Sequence, residues 1–234
     1  MTDPSGNRGF AFTLAALSSE SERAEAAMRT LGDADLTRPT RCEAWDVRSL
    51  IGHLIRDVDR IVVYLGESLP DQAPSGGDID AVAYYRAFEP VAAAPGVAQR
   101  SRDLAAAYAS REALVEGFAQ TWRHAIDAAT AAGPERIVTV AGGRTMRLAD
   151  YVPTRVLEMT VHGLDLADAL GRPPWTTPGA AEVTRSVLVG LLEAEPPAGW
   201  DDTMFFDKGT GRAALSASDL DALGTAAARF PLLA

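Results

Sequence analysis

The sequence predicts a mainly α-helical fold in two parts, a four-helix bundle over residues 1–171 and a small α/β unit over residues 172–234. Three observations support this prediction. Four segments carry apolar residues at the three- and four-residue steps of a helix that faces a core. Gly and Pro residues follow three of these segments, where they stop helices. After Pro174 the helical pattern is interrupted by an extended stretch and a Gly-containing turn.

The first two helical segments are predicted over residues 10–31 and 46–65. The second begins at Asp46, because an Asp side chain accepts hydrogen bonds from the exposed N–H groups of a first helical turn. Trp45 and Leu50 flank this start with the spacing of a hydrophobic staple. Packing of the helix entry is therefore the simplest role for this tryptophan.

The third and fourth segments are predicted over residues 101–132, as one long helix, and 149–170. A polar, Gly- and Pro-rich connection over residues 70–96 precedes the third segment and includes a short helix around residues 81–88. A connection of this length in a compact domain is usually functional or mobile. We therefore expect it to help shape any binding pocket.

The remaining elements are short. Residues 137–140 and 145–148 flank a Gly-Gly pair, which predicts a short hairpin or an irregular turn. The second part of the chain is predicted to contain a helix over residues 178–194, an extended stretch from Thr203 to Phe206 and a last helix over residues 217–229.

Composition limits the classes of function. Asp and Glu total 32 against 22 Lys and Arg, a formal net charge of −10. Nucleic-acid binding depends on basic side chains that displace counterions, so it is disfavoured. The single cysteine, Cys42, excludes an intramolecular disulfide and is typical of a reducing compartment. Without a signal-peptide pattern or about 20 successive apolar residues for a membrane span, we expect a soluble cytoplasmic protein, as a monomer or a homodimer.

The chain has three histidines, and His162 follows Glu158 by four residues in the fourth segment. At this spacing the two side chains project from one face of a helix. Flanking apolar residues indicate that this face turns inward, where a carboxylate needs a partner because an unpaired buried charge is costly. An ordinary intrahelical Glu–His pair is the alternative interpretation.

His53 lies in the apolar middle of the second segment. Alone it would be a core histidine, but with Glu158 and His162 it completes three ligands from facing helices, as in metal sites of helical bundles. Two imidazoles and a carboxylate with a free fourth position are typical of catalytic zinc and also suit other divalent metals. His124, in the third segment, is predicted to be structural.

Three further polar residues have alternative roles. Arg155 could hold a substrate carboxylate in a bidentate grip, or it could neutralise Glu158 or Asp165. Asp165 could accept a hydrogen bond from His162, three residues before it, or pair with an arginine. Cys42 is predicted to be structural rather than a catalytic thiol, because it lies in the loop just before the second helix.

Three stretches carry a resemblance to a known family: TRCEAWDVRSLIGHL (40–54), RVLEMTVHGLDLADALGRP (155–173) and TGRAALSASDLDALGTAAARFPLLA (210–234). The chain resembles the mycothiol-dependent maleylpyruvate isomerase family, within the DinB-like superfamily. The resemblance covers nearly the whole chain in order and spacing and is loosest over residues 70–96.

This resemblance implies a DinB-like four-helix bundle with a divalent metal, most simply Zn²⁺, on His53, Glu158 and His162. It also implies mycothiol as a low-molecular-weight thiol cosubstrate and a small electrophilic substrate, such as a maleylpyruvate-like unsaturated acid. Isomerisation and S-transfer are both compatible with this machinery. The alternatives are a non-catalytic DinB-like metal-binding protein and a zinc hydrolase with Asp57 or Asp165 as general base.

Overall fold

A computed structural model describes residues 4–43, 45–67, 77–87 and 90–233. The fold over these residues is mainly α, with a single small sheet, as predicted. The helices are α1 (Pro4–Met28), α2 (Val47–Gly66), α3 (Ala81–Ala87), α4 (Pro90–Ala106), α5 (Arg111–Ala132), α6 (Leu148–Ala169), α7 (Pro178–Leu192), α8 (Asp202–Gly209) and α9 (Ala217–Leu223). The strands are β1 (Ile137–Thr139) and β2 (Thr145–Arg147), which pair antiparallel and form the expected hairpin.

The bundle is built around α2. This helix packs against α4, α5 and α6, while α1 packs against α5 and α6. Its start is the predicted one, because the Asp46 side chain accepts a hydrogen bond from the Ser49 N–H. Apolar side chains from these helices form a contiguous core that includes Leu17, Met28, Leu54 and Phe118. The adjacent α2 and α6 carry the polar residues described below.

Gly52 sets how closely α2 approaches α4. A Cβ atom at this position would lie 2.4 Å from the Ser101 carbonyl oxygen and 2.9 Å from the Ala105 Cβ. These separations are shorter than side-chain carbon atoms tolerate, so the crossing of the two helices requires glycine here.

The prediction of one helix over residues 101–132 was wrong, because two helices, α4 and α5, cover this region. Ser110 starts the second of them by accepting a hydrogen bond from the Ala113 N–H. Helical apolar spacing continues on both sides of the break, so periodicity alone did not reveal it. In addition, α4 already begins at Pro90 and continues past Pro95, within the segment interpreted as an irregular connection.

The extended stretch predicted from Thr203 to Phe206 was also wrong, since these residues belong to α8. Asp201 caps this helix through the Met204 N–H, and Phe206 is buried in a second apolar cluster. Tertiary packing and a helix cap thus outweigh the strand preference of adjacent aromatic residues. The last predicted helix ends earlier, because α9 stops at Leu223 and a short 3-10 helix follows.

The second apolar cluster gives α6 a second buried face. Leu157, Val161 and Leu164 of this helix pack there with α7 and α8. Since the opposite side of α6 faces the bundle core, the helix is enclosed on both sides. Among the described residues, no helix has both the length and the apolar character that a bilayer crossing requires.

Candidate metal centre

Three side chains predicted as metal ligands meet between α2 and α6. The Oε2 atom of Glu158 lies 3.4 Å from Nε2 of His162 and 3.6 Å from Nε2 of His53. One ligand atom from each residue lies within 4.8 Å of the others. The Glu158 side chain is 24 % exposed, whereas both imidazoles are nearly buried. The cluster therefore opens toward solvent beside the carboxylate.

The donor set fits a zinc ion. Zn²⁺ binds imidazole nitrogen and carboxylate oxygen at about 2.0–2.2 Å in tetrahedral geometry, which separates neighbouring ligand atoms by roughly 3.3 Å. The two Glu158–imidazole distances are close to that separation. Among the described residues, both ring nitrogens of His53 are buried without a hydrogen-bond partner. A buried ring nitrogen without a partner is costly, and an ion bound at Nε2 would satisfy one of the two.

The electrostatics favour the ligand forms of two of these residues. Burial lowers the pKa of His53 to about 4, so this imidazole is neutral at neutral pH. Burial opposes charge on Glu158 as well, but the neighbouring imidazoles of His162 and His53 outweigh it and hold the pKa of the carboxyl well below its usual range. A neutral imidazole and a carboxylate are the forms that bind metal.

His162 differs because it contacts carboxylates on both sides. Its Nδ1 atom donates a hydrogen bond to Oδ2 of Asp165 at 2.9 Å. Burial alone would lower the pKa of His162, but hydrogen bonds to Asp165, Cys42 and Glu158 raise it well above its usual value. In the metal-free protein this imidazole therefore carries a proton that a metal has to displace.

Asp165 is held by two arginines. Arg212 donates from Nε to Oδ1 at 2.9 Å and from Nη2 to Oδ2 at 2.7 Å, and Arg41 donates to Oδ1 at 3.1 Å. Burial would raise the pKa of Asp165, but Arg212 and His162 outweigh it and keep the carboxyl ionised. Sequence reasoning assigned no role to either arginine. Both lie in stretches that carry the family resemblance, which is the signal that marks them.

A second group with ligand-like spacing shares His162. Cys42 donates from Sγ to Oδ2 of Asp165 at 3.2 Å, and the thiol, this carboxylate and Nδ1 of His162 lie close enough to share an ion. However, Arg212 already places its guanidinium 3.6 Å from the sulfur and pairs with the carboxylate. A fixed positive charge repels a second cation, so the His53 group is the better candidate.

Trp45 lies against the imidazoles. Its ring centroid is 4.7 Å from that of His53 and 5.7 Å from that of His162. The two histidine rings are themselves 4.6 Å apart in an edge-to-face arrangement. The tryptophan predicted to be a helix staple is thus also a wall of the candidate centre, and it limits how the rings can rotate.

Arg155 pairs with a different carboxylate from those considered in the sequence. Its Nη1 atom donates to Asp57, its Nε atom donates to Thr154, and its guanidinium lies 4.9 Å from the Tyr151 ring centroid. Burial opposes its charge, but Asp57 raises the pKa of Arg155 well above its usual range. Burial also raises the pKa of Asp57 to about 7, a rise that Arg155 opposes.

Tyr85 contacts the candidate ligand Glu158, which the sequence did not predict. Its hydroxyl lies 3.2 Å from Oε1 of Glu158 and 3.0 Å from the Thr154 carbonyl oxygen. The predicted short helix at residues 81–88 is present as α3, but nothing in the spacing of the sequence ties it to α6.

By contrast, His124 is exposed on α5 and is not part of the candidate centre.

Comparison with known proteins identifies a family that the chain matches over most of its length. A family model described as the mycothiol maleylpyruvate isomerase N-terminal domain matches residues 17–167. The matched region includes the three candidate ligands and Asp165 but ends before Arg212. No curated protein and no solved structure matches the chain.

Proposed function

Because this chain belongs to the mycothiol maleylpyruvate isomerase N-terminal domain family, we propose that it is a metal- and thiol-dependent enzyme acting on a small electrophile. The observation that carries the proposal is the convergence of His53, Glu158 and His162 within ligand distance of one another, with a His53 ring whose nitrogens have no hydrogen-bond partner among the described residues. Mycothiol is the proposed thiol cosubstrate, and Zn²⁺ is the proposed metal.

The three converging residues would hold the metal. When bound, the metal supplies a positive charge that stabilises a deprotonated thiol, the nucleophilic form of sulfur. Asp165 holds the Nδ1 proton of His162, so that Nε2 of this imidazole is the nitrogen directed toward Glu158. Three protein ligands leave room for an exchangeable fourth, as in catalytic zinc sites.

Arg155 is the proposed contact for a negatively charged group of the substrate. Within the described part of the chain, its Nη2 atom is the guanidinium nitrogen without a hydrogen-bond partner. The Asp57 carboxylate partly neutralises the positive charge of Arg155. A hydrogen bond from Arg155 would therefore orient the substrate more than the charge would attract it.

The proposed chemistry is addition of the thiolate sulfur to an activated carbon–carbon double bond. The electron pair of the sulfur forms the new bond, and the double-bond electrons move into the activating carbonyl group. Rotation about the resulting single bond and elimination of the thiolate give the trans isomer. If the adduct instead takes back the proton that the thiol lost and is released, the product is an S-conjugate, so isomerisation and S-transfer differ in the fate of this one adduct.

The zinc hydrolase alternative lacks support from its proposed bases. Asp57 is engaged by Arg155, while Asp165 is engaged by two arginines and His162. Against the effect of burial, Arg212 and His162 hold the pKa of Asp165 low, which opposes the uptake of a proton from water. The pKa of Asp57, which burial raises to about 7, would suit a base, but its carboxyl is buried in an ion pair with Arg155 and belongs to neither group of residues that could hold an ion.

The test combines metal analysis with thiol binding. The purified protein should contain close to one equivalent of zinc, and mycothiol should raise the melting temperature of the zinc-loaded form by linkage. It should also support conjugation or isomerisation of an activated unsaturated acid. Zinc without mycothiol stabilisation or turnover would instead favour a non-catalytic metal-binding protein. Turnover of an ester or amide without thiol would favour the hydrolase.

A further inference from the structure

The short helix α3 contacts the candidate centre through one hydroxyl group. Tyr85 is 7 % exposed and lies in the second apolar cluster with Leu157 and Val161 of α6. Its hydroxyl oxygen lies within hydrogen-bond distance of two acceptors for its proton, the Thr154 carbonyl oxygen at 3.0 Å and Oε1 of Glu158 at 3.2 Å. The other oxygen of Glu158 is the one that faces the two imidazoles. One oxygen of the carboxylate thus faces the tyrosine, and the other oxygen faces the two histidines.

Two residues of α3, Val82 and Arg86, attach this helix to α7. Val82 packs onto Gly190, where an added Cβ atom would lie only 2.6 Å from the Val82 Cγ2 atom. Arg86 donates to the Gly190 carbonyl oxygen at 3.1 Å and pairs with Glu193. The missing side chain at position 190 therefore allows α3 to sit close enough for Tyr85 to reach α6.

Resting on the proposed function, we propose that Tyr85 is a positioning residue that holds Oε1 of Glu158, so that this carboxylate offers a single oxygen, Oε2, to the metal. A carboxylate that bound through both oxygens would take up the position that the thiol needs. Hydrogen-bond partners of metal ligands orient those ligands, and their loss typically weakens metal binding by about 10- to 100-fold.

The hydroxyl, rather than the ring, is the group that matters in this inference. Tyr85→Phe keeps the aromatic ring in its apolar surroundings and removes one oxygen atom. Tyr84→Phe is a matched control, because among the described residues its hydroxyl makes no hydrogen bond although its ring packs 5.3 Å from that of Tyr85. Comparing the two variants separates a directed contact from a general effect of a tyrosine at this helix.

The experiment measures zinc affinity by competition with a chromophoric chelator, using the full chain and zinc alone. We expect zinc binding by Tyr85→Phe to be about 10- to 100-fold weaker than wild type, with Tyr84→Phe unchanged. Melting of the metal-free proteins provides a control for folding. Cobalt substitution gives a second measurement, since a carboxylate released to bind through both oxygens would change the visible absorption of the ion.

Each outcome has a distinct meaning. If the wild-type protein binds no zinc, the proposed function fails and this inference fails with it. If the wild type binds zinc tightly and Tyr85→Phe binds it equally well, with the same cobalt spectrum, only the role of Tyr85 is overturned. Equal weakening in Tyr84→Phe would also overturn it. Gly190→Ala should weaken zinc binding, and adding Tyr85→Phe should then cause little further loss of affinity. If the double variant instead loses as much affinity as the two single variants combined, the packing of α7 does not act through the Tyr85 hydroxyl.

Discussion

The Nδ1 atom of His162 donates a hydrogen bond to Oδ2 of Asp165 at 2.9 Å, while Nε2 of the same ring lies 3.4 Å from Glu158. One imidazole therefore connects the candidate ligand cluster to a buried carboxylate held by arginines. Because Arg212 comes from the segment after α8, residues distant in the sequence determine the orientation of a ring on α6. This relationship makes the centre testable at several positions.

His53→Ala should abolish tight zinc binding, because it removes one of three protein ligands. Glu158→Gln should have a similar effect, since a neutral amide is a poor zinc ligand. His124→Ala is the matched control, as this exposed histidine on α5 lies outside the cluster. Zinc content is measured by elemental analysis after dialysis against a zinc buffer. Retention of full zinc by both ligand variants would contradict the assignment.

Zinc affinity should rise with pH by about tenfold per pH unit around neutrality, because binding displaces one proton. That proton belongs to His162, whose pKa is raised well above its usual value. His53, with a pKa of about 4, is already neutral, and Glu158 is already ionised. Chelator competition at a series of pH values measures the slope. A pH-independent affinity, or a slope of two protons, would show that these protonation states are wrong.

Asp165→Asn should both weaken zinc binding by about 10- to 100-fold and lower the free energy of unfolding by about 3–5 kcal/mol. The first effect follows from the loss of a charged partner for His162. The second follows because the mostly buried guanidinium of Arg212 loses its counter-charge. Asp207→Asn removes only a partly exposed partner of Arg41 and should cost about 1 kcal/mol or less. Urea unfolding and chelator competition check the two effects.

Asp57→Asn should lower the free energy of unfolding by about 3–5 kcal/mol, because it leaves the buried Arg155 cation without its counter-charge. Replacing both partners together, with Asp57→Leu and Arg155→Met, should restore most of that loss. A double-mutant cycle in urea measures the coupling between the two positions. A cost of less than about 1 kcal/mol for the single variant would contradict the ion pair.

Gly52→Ala should destabilise the protein by about 1–3 kcal/mol, since its Cβ atom would overlap the α4 backbone. Gly9→Ala, within α1, is the matched control because nothing lies within 4 Å of the added carbon. At that site alanine should stabilise by up to about 1 kcal/mol through helix propensity. Thermal unfolding followed by circular dichroism compares the two variants, and equal effects would refute the close approach of α2 to α4.

Much of the fold and the pairing of Glu158 with His162 follow from local sequence patterns, whereas His53 became a candidate only through the expectation that its helix faces theirs. Helical spacing identifies the bundle helices, Asp46 marks the start of α2, and the interval from Glu158 to His162 places two candidate ligands on one helical face. These features depend on residues a few positions apart, so the chain alone is enough to predict them. The glycines and prolines that follow the predicted helices, and the Gly-Gly pair of the hairpin, are recognised in the same way, because backbone preferences are local.

Only the tertiary structure determined which residues form ion pairs and hydrogen bonds with the buried charged side chains of the candidate centre. Arg155 was expected near Glu158 or Asp165 and instead pairs with Asp57 on α2, while Arg41 and Arg212 converge on Asp165 from distant segments. The contact of Tyr85 with Glu158 likewise depends on how α3 sits against α7. Such contacts arise from the packing of helices far apart in the chain, and any of several arginines could satisfy the same carboxylate. Periodicity specifies which face of a helix is buried, whereas the packed core determines what that face touches.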